Sequence, residues 1–322
     1  MNKVNQTFLS RRQAVTGALL AGIVSAIPGC ATASPVTRHW LRPGVQLWPL
    51  SDEVAKDPDA TFARLAAMGF KDVETAGFHG HKPAELKAAA DRAGLSIVGA
   101  HIQAQIRILP TDRVLSDPDL AALISDLREL GVRNVVMPLP LLPPSEIPRA
   151  DENAFANVIR VVSAFGISDW QRSAAFLSQR GEALRREGIR LSYHNHNMDF
   201  APVGGTTGWD VLMNETDPAN VGFELDIGWA AAAGRDPVEL LFRNPGRIGM
   251  LHIKDAGRAT KYNFLGQQLS APLGKGLIRW VPLLTLAKKQ GVTGYFVEQE
   301  PPFTTSAFDA MAQSIAYLRT VS

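Results

Sequence analysis

From Gly44 onward the chain alternates short β-type runs with helical patterns, and it does so eight times. Nothing else narrows the fold as much. Strands separated by helical crossovers pair in parallel, and the crossover helices then cover the sheet they create. The β-type runs are 44–48, 72–75, 96–101, 134–137, 190–193, 221–226, 248–252 and 295–298. Helical sequence follows each run: 57–68 stopped by Gly69, a helix opened by Pro83 and closed by Gly94, 120–130 stopped by Gly131, one or two helices across 151–187, then 209–214, 237–243, 277–290 and 308–318. Proline suits a first helical turn because the N–H it lacks has no partner there, and glycine suits a stop. The proline-rich loop 138–148 is long for a barrel connection, and long loops often carry function. Eight βα units in about 280 residues predict one α/β domain, a closed (β/α)8 or TIM barrel, over residues 44–322.

Residues 1–33 read as a secretory signal. Arg11 and Arg12 form a twin-arginine pair, and an uncharged stretch runs to Pro28. That stretch is too short and too rich in Gly and Ala to span a bilayer comfortably. Two processing outcomes follow: cleavage near Ala31-Thr32-Ala33, or lipidation of Cys30 in the degraded box Ile27-Pro28-Gly29-Cys30. Residues 34–43, which include His39, form a leader segment. A periplasmic or otherwise exported location is expected. Cys30 is the single cysteine, so the fold rests on its core and not on disulfides. A net charge of +2 argues against a nucleic-acid partner, which calls for a strongly basic surface.

In such a barrel the reactive groups stand at the C-terminal ends of the strands. Those positions are polar in this chain: Gln46, Glu74, His101, His194 and His196, Asp226, His252 and Glu298. Each is costly to bury alone, so around one mouth they have to partner each other or a cation. Several pairs stay open at this level. His194 and His196 share a face of their strand, and so do Glu298 and Glu300. Glu74 and His101 suit either substrate contact or a polar layer inside the barrel. Lys254 suits either catalysis or an ion pair with Asp255 or Glu298. Trp229 and Trp48 suit either substrate contact or packing. His79 and His81, after the second strand, are further substrate candidates. Gly274-Lys275-Gly276 is a candidate for holding a phosphate.

The runs Tyr193-His194-Asn195-His196, Phe223-Glu224-Leu225-Asp226, Leu251-His252-Ile253-Lys254-Asp255 and Val297-Glu298-Gln299-Glu300 resemble the later strand motifs of the sugar phosphate isomerase/epimerase family, whose barrels are xylose isomerase-like. Gly44-Val45-Gln46-Leu47-Trp48, Asp72-Val73-Glu74 and Gly274-Lys275-Gly276 fit the same pattern, so the likeness runs over residues 44–320. It implies one divalent metal, Mn, Zn, Co, Fe or Mg, held by His194, Asp226, His252 and Glu298. Two imidazoles and two carboxylates suit a transition ion better than calcium. It implies catalytic roles for Glu298, Lys254 and His196, and substrate contacts from Gln46, Trp48, Glu74, His101, Trp229 and Glu300. Many relatives carry glutamate where this chain has His194. A metal-bound imidazole is a poor base, which leaves Glu298 without a second base across the site. The implied function is a metal-dependent isomerase or epimerase that works through an enediolate on a non-phosphorylated keto-sugar. The alternatives are a 3-keto-glycoside lyase or hydrolase on the same site, and a non-catalytic sugar-binding barrel. An apurinic endonuclease of related fold would need more metal ligands and a basic groove. The expected partner is a small sugar or glycoside, with no nucleic acid and no membrane span; a homo-oligomer is compatible with this reading.

Overall fold

Eight parallel strands close into a barrel in chain order: β1 (Gly44–Gln46), β2 (Asp72–Ala76), β3 (Ser96–His101), β4 (Asn134–Met137), β5 (Arg190–His194), β6 (Val221–Asp226), β7 (Ile248–Ile253) and β8 (Gly294–Val297). β1 pairs with both β2 and β8, which completes the ring. The structure is a computed structural model that describes residues 41–107, 112–143 and 153–322. The signal segment, Cys30, His39 and positions 144–148 of the proline-rich loop lie outside the described residues. Among the described residues, no helix is long and apolar enough to cross a membrane.

The helices form where capping chemistry allows. Asp57 accepts from Ala60 N ahead of Pro58–Met68, and Gly69, Gly94 and Gly131 cap the helices they were expected to end. The run 44–48 stops as a strand at Gln46, because Trp48–Leu50 turns into a short 3-10 helix around Pro49. A proline there has no N–H for the ladder. Segment 151–187 resolves into Ala154–Val162 and Ile167–Arg186, the second opened by Asp169 accepting from Gly166 N at 2.9 Å. Helix Ile227–Ala232, directly after β6, was not foreseen.

Alternation sorts each strand into two faces. Val45, Val73, Val135, Leu191, Phe223, Leu225, Leu251 and Val297 point outward into one continuous apolar core against the helices. Fully burying such a side chain contributes about 1.5–3 kcal/mol. Val136, Met250 and Phe296, with Val98 beside them, form a small separate cluster inside the barrel. The polar layers stand above this plug, toward the C-terminal ends of the strands. Two register shifts help to set them. Val73 pairs with Ile97 but Glu74 pairs with Gly99, so Val98 is an extra residue. Strict alternation would put Val98 and His101 on opposite faces; the bulge lets both face inward. The second shift skips Gly249 between the partners of Phe223 and Glu224, so Ile248 packs outward while Met250 packs inside.

Candidate active site and metal centre

Above the apolar plug lies a floor of buried polar groups. Glu224 and Glu74 are fully buried within it. Glu224 Oε2 stands 3.0 Å from His101 Nε2, 3.1 Å from His194 Nδ1 and 3.0 Å from His252 Nε2. Glu74 Oε2 stands 2.9 Å from His252 Nε2 and 3.1 Å from His101 Nε2, and accepts from Gln46 Nε2 at 2.7 Å. The Oε1 atoms of both glutamates accept no hydrogen bond from the described residues. Burial opposes the anion of Glu224, but His252, His101 and His194 hold its carboxyl well below the ordinary value. Burial likewise opposes the His101 cation, and Glu74 and Glu224 together raise it to about 9.

A ring of ionisable groups sits on this floor. His252 turns Nε2 down to the glutamates and Nδ1 up, 3.0 Å from Glu298 Oε2 and 3.7 Å from Asp226 Oδ2. His194 turns Nδ1 down to Glu224 and Nε2 toward Asp226 Oδ2, 3.8 Å away. Lys254 Nζ lies 2.7 Å from Glu298 Oε2, 3.0 Å from Asp226 Oδ2 and 2.5 Å from Glu300 Oε1. Burial alone would push this ammonium down; the three carboxylates outweigh it and hold it well above the ordinary lysine value. Burial also opposes the anions of Asp226 and Glu298, yet Lys254 and His252 keep both below their ordinary values. Burial raises Glu300 against the pull of Lys254. His196 is pushed well below the ordinary imidazole range by burial, His194 and Lys254.

Neighbouring residues hold the ring in place. Asn195 clamps the backbone of Asp226, donating to its carbonyl at 3.2 Å and accepting from its N–H at 2.9 Å. Asp226 Oδ1 caps the following helix by accepting from Trp229 N at 2.7 Å, which leaves Oδ2 for the ring. The stem of Lys254 crosses Gly228 so closely that a β-carbon there would stand 2.6 Å from Lys254 Cγ. The Trp229 ring lies 5.0 Å from Lys254 Nζ and 5.5 Å from the ring of His196, and Phe155 packs 5.6 Å from His196.

The donor set fits a divalent cation. Asp226, His252 and Glu298 present ligand atoms that all lie within 4.8 Å of one another, and His194 Nε2 faces the same oxygen of Asp226. Asp226 Oδ2 is buried and faces Lys254, His252 and His194 at 3.0–3.8 Å, with no formed hydrogen bond among the described residues. Two imidazole nitrogens and two carboxylate oxygens suit a transition ion. Each histidine also has a carboxylate behind it, the usual support for a metal-binding imidazole.

The structure thus brings together the four expected ligands with Lys254, Glu300, His196 and Trp229. Gln46, Glu74 and His101 join the floor beneath them, with the His101 side chain 10% exposed. Trp48 is half exposed, and its N–H donates to Gln46 Oε1 at 3.0 Å. His79 Nε2 accepts from Ala76 N, while His81 Nε2 lies 3.1 Å from the carbonyls of Val54 and Ala55, so neither joins the cluster. Gly274-Lys275-Gly276 is not a phosphate cradle. The N–H groups of Gly274, Gly276 and Ile278 and the indole of Trp280 all donate to the Asp255 carboxylate, which already fills that place. Asp255 is therefore a loop anchor and not the partner of Lys254. Sequence reasoning missed Glu224, although its spacing of two from Asp226 on one strand signals a shared inward face. It also missed Asn195 and Phe155, which carry no such signal.

Over residues 62–321 the chain matches the family described as Xylose isomerase-like TIM barrel. It is similar to the inosose dehydratase of Geobacillus thermodenitrificans, 24% identical over 273 residues that cover 80% of this chain and 87% of that protein. Among solved structures, a sugar phosphate isomerase/epimerase from Parabacteroides distasonis superposes with a TM-score of 0.64 at 25% identity, covering 92% of this chain and 100% of that one. The 3-keto-D-glucoside 4-epimerase of E. coli shares the fold at a TM-score of 0.55 and 20% identity, covering 87% and 99%. These relatives are enzymes and the family match covers most of the chain: the protein is an enzyme of the xylose isomerase-like TIM barrel family.

Proposed function

We propose that the enzyme removes the proton next to the ketone of a non-phosphorylated keto-sugar or keto-cyclitol and expels the oxygen substituent β to that ketone. The observation that carries this reading is the 2.7 Å contact between Glu298 Oε2 and Lys254 Nζ, with no second carboxylate at the fifth-strand position, where His194 stands. A divalent cation bound by His194, Asp226, His252 and Glu298 would polarise the ketone and make the adjacent C–H more acidic. The residues do the remainder. Glu298 accepts the carbon-bound proton as general base. As the C–H bond breaks a C=C bond forms, and the C–O bond on the β carbon breaks. Lys254 gives a proton to the departing oxygen, and proton transfer from Glu298 to Lys254 across their contact restores both. The ion pair with Glu300 keeps Lys254 in place. His196 Nδ1 and Trp229 Nε1, both buried without a hydrogen-bond partner among the described residues, are placed to bind substrate hydroxyls. Base and acid lie side by side, so hydrogen and leaving group depart from the same face of the ring.

Relatives named as inosose dehydratases support elimination. The likeness to a sugar phosphate isomerase/epimerase favours a second reading, in which the same base returns the proton to a neighbouring carbon. The test is to incubate the protein with Mn²⁺ and a 3-keto-glucoside or a free ketose in D₂O and follow the products by NMR. Release of the β substituent with syn stereochemistry is expected. Deuterium entering a ketose with an isomer appearing would favour the second reading, and no exchange or product with either substrate class would contradict both. The twin-arginine segment supports a further proposal, export, which fractionation of cells expressing the full chain would test.

A further inference from the structure

We propose that Glu224 is a positioning residue that fixes, through one carboxylate oxygen, which nitrogen each ring histidine turns toward the barrel mouth. The inference rests on His194 and His252 being the residues that face a cation. A neutral imidazole has one N–H and one lone pair, and the partner of the N–H decides which nitrogen is which. Glu224 Oε2 is an acceptor within 3.1 Å of His194 Nδ1 and within 3.0 Å of His252 Nε2 and His101 Nε2. A proton on each of those nitrogens satisfies the carboxylate. The lone pairs then fall on His194 Nε2 and His252 Nδ1, the two atoms that face Asp226 and Glu298. The two ligands are therefore held as opposite tautomers, His194 by Glu224 and His252 by Glu224 together with Glu74. Glu74 cannot do this for both. Its Oε2 reaches His252 and His101, but among the described residues its hydrogen bonds and ion pairs do not include His194. Glu224 is placed for the task by β6, two residues below Asp226 on the inward face.

The experiment reads tautomers directly, by long-range ¹H–¹⁵N correlation of the imidazoles in ¹⁵N-labelled full-length protein, with and without Zn²⁺. The expected wild-type result is an Nδ1–H tautomer for His194 in both states and an Nε2–H tautomer for His252 in the zinc-loaded state. In Glu224→Gln the His194 tautomer should change or become mixed, and Zn²⁺ affinity should fall about 10–100-fold. Glu74→Gln should leave the His194 tautomer unchanged. An Nε2–H tautomer for His194 in the wild type would overturn the proposal, and this holds even if Glu224→Gln does not fold. So would unaltered tautomers and affinity in a folded Glu224→Gln protein, or two Zn²⁺ ions per chain with one bound by Glu224. If the wild type binds no Zn²⁺, the ligand assignment fails separately, while the metal-free His194 tautomer still decides the role of Glu224.

Discussion

The floor and the ring inside this barrel share His194 and His252 and balance charge in opposite ways. In the floor, two glutamates receive three imidazole nitrogens and an amide, so donors outnumber charged acceptors. In the ring, Asp226, Glu298 and Glu300 crowd one ammonium, and the upward nitrogen of each histidine faces a carboxylate. A buried group that lacks its partner costs several times what a formed pair contributes. The floor is consequently suited to hold geometry, while the ring is suited to take up a cation and a substrate that changes charge. The difference separates holding from reacting within one stack of side chains, a few ångströms apart.

The largest effect should come from the reacting side. Glu298→Gln removes the base and should lower turnover about 10²–10⁴-fold, measured as substituent release at saturating substrate; a loss below tenfold would move the base elsewhere. Lys254→Met comes next. It leaves three carboxylates facing one another and should cost roughly 3–5 kcal/mol in metal-free protein, as for any buried pair that loses one partner. Added Mn²⁺ should recover part of the loss, because a cation takes over the role of the ammonium. Urea unfolding with and without Mn²⁺ reads both numbers, and an equal loss in the two conditions would break the contrast between ring and floor.

Asp199 sharpens the comparison from outside both layers. It is fully buried, accepts from Tyr193 Oη at 2.9 Å and from His196 N at 3.0 Å, and pairs with no cation among the described residues. Burial raises its carboxyl from 3.8 to about 7, against those two hydrogen bonds. The folded state then keeps a proton that the unfolded state releases between pH 4 and 7. Its contribution to stability is present at the acid end of that window and declines as pH rises, by at most about 1.4 kcal/mol per pH unit. Relative to Asp199→Asn, the wild type should lose stability between pH 5 and pH 8. A stability difference that stays constant over that range would contradict the assignment.

Much of this was legible in the sequence, and what was missed has physical causes. The runs 96–101, 134–137 and 221–226 coincide with β3, β4 and β6, because short apolar runs bounded by helix stops leave few other readings. The ring was legible because its members end strands or follow them within a few residues. The floor was only half legible. Glu74 and Glu224 both lie two residues short of their strand ends, but β6 also ends in a carboxylate, Asp226, which takes the place that a strand-end rule looks for. His101 faces inward by virtue of a bulge at Val98, and Gly99 beside it was the one residue in the run that signalled it. Gly274-Lys275-Gly276 reads as an anion cradle for a sound reason: its amides do bind an anion. That anion is Asp255, brought there by the return of the chain after β7, which is tertiary information.

The central claim is that the ring binds one divalent cation through His252. The direct measurement is the metal content of purified full-length protein and of His252→Ala, with circular dichroism to check the fold. One divalent ion per chain is expected in the wild type and none in a folded His252→Ala protein. A folded variant that retains stoichiometric metal would contradict it.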